Sequence, residues 1–180
     1  MTEVLEGLIV LDFTWGMTGS VATMVLSDFG ADVIKIEPPG WDPFRAFPPS
    51  LLWNRGKKSV ILDLKSAEGQ RKAQRLAQRS DIVIESFRPG VAARSGIDYE
   101  TLRVDHPDLV YCSITGFGPK GPYAQYKGYE GVVAAKCGRM MAFAGQKLRE
   151  GPGFPAVNTA SHAAAMAAVR GIVAALYTRD

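Results

Sequence analysis

Glu85-Ser86-Phe87-Arg88-Pro89-Gly90 follows an apolar run, Ile82-Val83-Ile84. A carboxylate, a hydroxyl, an aromatic ring and a guanidinium in that order suit the C-terminal end of a buried parallel strand, where α/β sheets open onto a ligand crevice. The layout recurs at Val33-Ile34-Lys35-Ile36-Glu37-Pro38-Pro39-Gly40 and from Leu109 through Tyr111-Cys112-Ser113 to Thr115-Gly116-Phe117-Gly118-Pro119. Phe87 could stack on a base while Arg88 and Arg94 hold a phosphate, or the three could be a core ring with two surface arginines. Asn54-Arg55-Gly56-Lys57-Lys58-Ser59, running on to Lys65, offers point charges for terminal phosphates. It reads equally as a solvated basic edge. Gly128-Tyr129-Glu130 opens a helix, where Tyr129 and Glu130 could hold a reacting carbonyl or carboxylate, or Glu130 could simply offset the helix dipole. Ser161 stands beside His162, a nucleophile and a base by residue type, but neighbours in a helix point in different directions.

The first turn, Thr14-Trp15-Gly16-Met17-Thr18-Gly19-Ser20, invites a dinucleotide-binding reading, with Glu37 placed to hold a ribose. The spacing is only G-x-x-G, short of the G-x-G-x-x-G fingerprint. An NAD(P)- or other nucleotide-binding module stays open beside the plainer reading that these glycines permit a tight turn.

These groups need a scaffold, and the chain of 180 residues is long enough for one domain with a proper core. A hydrophobic content of 47% against 22% charge makes it globular, and a net charge of +3 is too weak to argue for nucleic acid. Cys112 and Cys137 fit neither a metal spacing nor a disulfide framework, and read as buried thiols of a cytoplasmic protein. Glu3 and Glu6 stand where a signal peptide needs positive charge. The apolar stretch Ala163 to Tyr177, interrupted by Arg170, is shorter than the roughly 20 residues that span a bilayer. It reads as a helix buried on all sides, covered by more chain or a second subunit.

Strands are expected at Leu8 to Phe13, Asp32 to Glu37, Ser59 to Leu64, Asp81 to Glu85 and Leu109 to Ser113. Between them fall a helix capped by Ser20 and ended by Gly30, one capped by Ser66 and running to Arg79, and a short one at Tyr99 to Val104. Helices over Tyr129 to Met141 and Thr159 to Arg179 follow, with a turn-like segment over 145–156 between them. His106, before Pro107, is structural. The long loop 38–56 carries Trp41, Phe44, Phe47 and Trp53, too aromatic for a mere linker. Strands alternating with helices predict an open, mostly parallel, Rossmann-like doubly wound α/β sheet with helices on both faces and no internal domain boundary.

Taken in order, these blocks resemble the N-terminal portion of the class III CoA-transferases, the CaiB/BaiF group that includes formyl-CoA and carnitine CoA-transferases. The resemblance rests on Leu5-Glu6-Gly7-Leu8 with Leu11-Asp12-Phe13-Thr14, on Gly30-Ala31-Asp32-Val33-Ile34-Lys35-Ile36-Glu37-Pro38, and on Asn54 to Ser59 with Leu62-Asp63-Leu64-Lys65. It continues through Glu85 to Gly90, Gly96-Ile97-Asp98-Tyr99-Glu100, Ser113 to Gly118 and Ala174-Ala175-Leu176.

The resemblance implies an enzyme that moves CoA between carboxylic acids, with acyl-CoA and a small carboxylic acid as substrates and no metal. It implies CoA along the strand ends, against Trp15, Met17, Thr18, Leu62, Lys65, Ser86, Phe87, Arg94 and Lys127, with Tyr129 beside them. It also implies an interlocked homodimer, or a second CoA-transferase domain, and no membrane or nucleic-acid partner. The family's nucleophile is an aspartate just before the last helix. Aligned without a gap that place is Ser161, and with a small shift Asn158; no Asp or Glu lies between Glu150 and Asp180. The related racemases carry a histidine where this chain has Tyr129, which argues against racemisation. The expectation is a CoA-binding portion of a longer or tandem protein, with Ser161 and Glu130 at the catalytic position and no transfer through Ser161 itself, because a serine hydroxyl needs a base to attack a thioester.

Overall fold

The computed structural model describes residues 3–142, 150–154 and 156–179. Five strands, β1 (Ile9–Asp12), β2 (Asp32–Glu37), β3 (Lys58–Ile61), β4 (Ile82–Glu85) and β5 (Val110–Ser113), form one parallel sheet ordered β3-β2-β1-β4-β5. The order reverses between β1 and β4, so a crevice opens beyond their C-terminal ends.

Adjacent residues on a strand face opposite ways, and here both faces are apolar. Val10, Val33, Ile82, Ile84 and Val110 pack against α1 (Gly16–Asp28) and α8 (Thr159–Arg179) through Leu26, Ala165 and Ile172. Leu11, Phe13, Ile36 and Val83 pack against α3 (Ala67–Ala77) through Ala73, with Ile97 and Leu102 completing that layer. Each fully buried side chain of this kind contributes about 2 kcal/mol. The sheet is therefore doubly wound, as its sequence pattern predicts.

The first helix begins earlier than expected. α1 starts at Gly16 with Trp15 in extended conformation as its cap, and Ser20 lies inside it with its side chain buried. The glycines explain this. Gly16 has φ 71, and a Cβ on Gly19 would sit 2.1 Å from the Thr14 Cβ, so only glycine lets the helix pass the turn that feeds it. Ser66 does cap α3, its Oγ accepting from the Gly69 N–H at 3.0 Å. The loop after β2 folds into a 3-10 turn (Pro43–Ala46) and α2 (Ser50–Trp53). Two short helices, α4 (Val91–Arg94) and α5 (Tyr99–Leu102), follow β4. The helix expected from Tyr129 to Met141 is two, α6 (Glu130–Lys136) and α7 (Arg139–Ala142), parted at Gly138 with φ 76. Within the turn-like segment, residues 145–149 and 155 lie outside the described residues.

One expectation about burial, that of the cysteines, is corrected, while this chain covers α8 on one side, as expected of a helix whose remaining cover comes from more chain or a second subunit. α8 buries one stripe, Ala165, Ala168, Ile172 and Leu176, while Met166 and Val173 are exposed and Tyr177 is 88% exposed. That stripe, with Val169, packs into the core that α1 and β5 share. By length and composition α8 is apolar enough to cross a membrane, and it runs well beyond the Ala163 to Tyr177 stretch. Cys137 is exposed, and Cys112 is half-buried, with burial and the nearby Glu85 pushing its thiol up to about 11.

Candidate functional site

The C-terminal ends of β1 and β2 hold a sealed ionic cluster. Asp12 on β1 stands in register with Lys35 on β2. The Lys35 side chain is 2% exposed, and its Nζ donates to the Thr14 carbonyl at 2.7 Å, with Asp12 at 3.9 Å and Asp42 at 3.7 Å. Lys57, equally buried, donates to Asp12 at 3.3 Å, to the Ser20 carbonyl at 2.9 Å and to Thr23 Oγ1 at 2.7 Å. Burial opposes ionisation of Asp12, but Lys35, Lys57 and the hydroxyls of Thr14 and Thr23 hold its carboxyl below the usual range. Burial, with repulsion from Lys35, pulls Lys57 down to about 8 against the attraction of Asp12. Glu37 ends β2 with Arg45 paired to it and with Ser59 Oγ and the Asp42 N–H donating. Burial resists its charge, yet these donors hold Glu37 at about 2.

This cluster settles two readings of the sequence. Both oxygens of Glu37 are engaged, which removes the acid a dinucleotide ribose would need. Lys57 is an internal counter-ion rather than a phosphate contact, and Lys58 pairs with Asp32 at 2.6 Å. Neither Asp12, Lys35 nor Asp42 stood out as a site residue in the sequence. The available signal was a charge set among apolar residues on each of two adjacent strands.

At the crevice, the turn after β1 meets the turn after β4. The Trp15 N–H donates to Ser86 Oγ at 3.1 Å, and the Trp15 and Phe87 rings meet edge to face at 6.3 Å. Glu85 faces inward; burial raises its pKa, against hydrogen bonds from Ser113 and the Phe87 N–H. On the other side of the first turn of α1, Met17 Sδ accepts from Asn158 Nδ2 at 3.5 Å. Thus Trp15, Ser86 and Phe87 meet at one mouth, and Met17, in the same turn of α1 as Thr18, touches the residue just before α8.

There Glu130 and Ser161 come together. Glu130 Oε1 accepts from the Ala160 N–H at 2.9 Å, and Oε2 accepts from the Ser161 N–H and Oγ, both at 2.8 Å. The carboxylate of α6 therefore serves the free donors at the start of α8. Burial works against its charge, but these donors and Arg139 hold Glu130 below the usual carboxylate range. His162 is exposed and turns back to the Asn158 carbonyl at 2.9 Å, so the Ser161–His162 pair suggested by residue type does not form. Ser161 Oγ donates to a carboxylate that is held ionised, which makes Glu130 a weak base for it.

The remaining predicted residues are more scattered. The Leu62 side chain is buried with Phe13 and Ile36, leaving only its backbone for a ligand. Lys65 and Lys127 are exposed on loops and Arg94 is exposed at the end of α4, and Lys127 Nζ lies 5.6 Å from the ring centre of the exposed Tyr129. Among the described residues, no three His, Cys, Asp or Glu side chains gather as a metal site requires.

A parallel sheet reversing at β1 and β4, with an aromatic and hydroxyl-lined mouth at the reversal, defines an α/β protein of the crevice-binding class. Within that class the chain belongs to CoA-transferase family III, whose family model matches residues 5–180. It is 42% identical over 152 residues to a succinate–glutarate CoA-transferase of Agrobacterium fabrum, covering 76% of this chain and 38% of that protein. Similarity to a formyl-CoA:oxalate CoA-transferase of Streptomyces avermitilis is 38% over 192 residues, covering 100% and 46%. The crystal structure of Rv3272 from Mycobacterium tuberculosis superposes with a TM-score of 0.93 at 36% identity, covering 98% of this chain and 50% of that one. A CAIB/BAIF family protein from Brucella suis gives 0.90 at 35% identity, covering 99% and 50%. The chain thus spans half or less of the length of these relatives.

Proposed function

We propose that this chain is the CoA-binding portion of an enzyme that moves CoA between carboxylic acids. The observation that carries the reading is the mouth itself: Trp15, Ser86 and Phe87 meet at the strand-order reversal, and Met17 ties that mouth to the start of α8. A pantetheine arm lying across Trp15 and Phe87 would bring its thiol toward Glu130 and Ser161. The exposed cations Lys65, Arg94 and Lys127 are the candidates to meet its phosphates. Supporting this is the family membership of residues 5–180.

Transfer through Ser161 forms no part of this function. The carboxylate beside Ser161 is a poor base, and a serine ester would sit below the thioester in energy rather than level with it. A carboxylate-bearing region outside this chain, in a longer protein or an interlocked second subunit, would complete the reaction. The reading carries a cytoplasmic setting with it, where the free thiols Cys112 and Cys137 stay reduced. Calorimetry with CoA and with NAD tests it: CoA is expected to bind and NAD is not. Tighter binding of NAD, or no binding of CoA at millimolar concentration, would refute it.

A further inference from the structure

We propose that Lys136 is a positioning residue: its ammonium, seated on two tyrosine rings, latches the loop after β5 onto α6 and so fixes Lys127 where a CoA phosphate is met. The inference rests on the CoA reading above and adds a residue to it.

The loop runs from Gly116 to Gly128 and closes on itself. Its end glycines face each other so tightly that a Cβ on Gly116 would lie 2.4 Å from the Gly128 Cα. This is the geometry of an Ω-loop, a compact segment packed by its own side chains. Here the packing is aromatic, with the ring centres of Phe117, Tyr123 and Tyr126 5.2 to 6.0 Å apart. The Tyr126 N–H donates to the Tyr123 carbonyl at 2.9 Å within it.

α6 leaves from the same stem, with Tyr129 as its cap and Glu130 as its first residue. Lys136, the last residue of α6, stands about 9 Å further along the axis. It reaches back to the loop, its Nζ 4.4 Å from the centre of the Tyr123 ring and 5.3 Å from that of Tyr126. Loop and helix are therefore joined twice, at the glycine stem and at the aromatic cluster. Lys127 sits between the two, next to the stem, with its Nζ 5.6 Å from the centre of the Tyr129 ring.

Electrostatics explains why a lysine fills this place. Tyr123 is 43% and Tyr126 45% exposed. Among the described residues no carboxylate pairs with Lys136, so the ring faces are its partners. An ammonium within about 6 Å of a ring centre is drawn to the negative face of the ring. A cation in the last turn also suits the helix dipole. The dipole, however, asks only for a charge near the helix end, not for a side chain folded onto two rings.

Three variants test this. Lys136→Met keeps the length of the side chain and removes its charge, Lys136→Arg keeps a cation for the rings, and Tyr123→Leu removes the nearer ring. Both positions are exposed, so the fold should tolerate the changes. Hydrogen exchange at the Tyr126 N–H should speed up about fivefold in Lys136→Met, the scale of two exposed cation–π contacts, and return to the starting rate in Lys136→Arg. In a Tyr123→Leu background Lys136→Met should add little. Calorimetry should show CoA affinity falling about fivefold in Lys136→Met, a loss that vanishes in a Lys127→Ala background, where nothing is left to position. Unchanged exchange in Lys136→Met would overturn the inference, as would failure of Lys136→Arg to restore it. An effect that persists in full beside Tyr123→Leu would assign Lys136 to the helix dipole and overturn it too, and a loss of CoA affinity that survives Lys127→Ala would remove the positioning role. If CoA binds the chain and all its variants equally, this inference alone falls; if CoA does not bind the chain, the underlying reading falls with it.

Discussion

Asp12 and Glu130 are both carboxylates beside the start of a helix, and both are held ionised by donors, yet they are built for different ends. Asp12 is fully buried, and besides the Thr14 N–H its partners are side chains: two lysines and two threonine hydroxyls. Glu130 is half-buried, and its partners are two backbone N–H groups and one hydroxyl. A sealed carboxylate whose partners are themselves buried is architecture, because losing any member strands a charge in low dielectric. A carboxylate on backbone donors at an open mouth costs little to rearrange and can meet a ligand. Charge beside the start of a helix is thus no guide to chemistry by itself; access separates the two.

The largest effect should come from Asp12→Ala. Lys35 would keep Asp42 as its one ionic partner, and Lys57 would keep neutral partners, at a cost of about 3–5 kcal/mol in urea unfolding. A loss below about 1 kcal/mol would mean that water reaches the cluster, and would break the contrast with Glu130. Next comes Glu37. Its pKa is about 2 in the folded chain against an ordinary 4.5, so the stabilisation it confers is complete above pH 4.5 and disappears as pH falls toward 2. Because the Arg45 side chain is 42% exposed, the effect is discounted for solvent screening to about 2 kcal/mol. Unfolding measured from pH 5 to 2 should show that slope, and Glu37→Gln should flatten it. The smallest effect belongs to the open site. Glu130→Gln should cost about 1 kcal/mol, the scale of a helix cap. Ser161→Asp should raise the Glu130 pKa by setting a second carboxylate where Oγ now stands 2.8 Å away, which an NMR titration would show. An unmoved Glu130 would mean that the two side chains part when both are acidic.

Much of this was legible in the chain. β2 falls on Asp32–Glu37 and α8 on Thr159–Arg179, as their patterns predict, because an apolar strand between Gly30 and Pro38 and a long uninterrupted helix former leave few alternatives. The start of α1 was not, since Gly16 and Gly19 look like turn residues until the nearness of Thr14 is known. Trp15, Ser86 and Phe87 were identified separately in the sequence, and the fold brings them to one place. Glu130 and Ser161 were also identified, but their contact joins residues 31 positions apart through a connection that no local pattern encodes. The Asp12 cluster stayed hidden for the same reason: Lys57 lies 45 positions from Asp12, and its run of basic neighbours resembles a solvated edge.

The shared ownership of Asp12 also limits how the sequence can drift. Lys35 and Lys57 both depend on one carboxylate, so the three positions cannot change one at a time without passing through an intermediate with an unmatched buried charge. Substitutions there should be strongly non-additive, unlike those at separated sites. A descendant with an uncharged cluster would have to alter several positions nearly at once, while exposed residues such as Phe47 and Leu51 are free to change singly. Mutational paths from this chain would therefore reshape its surface before they found a new floor for the crevice.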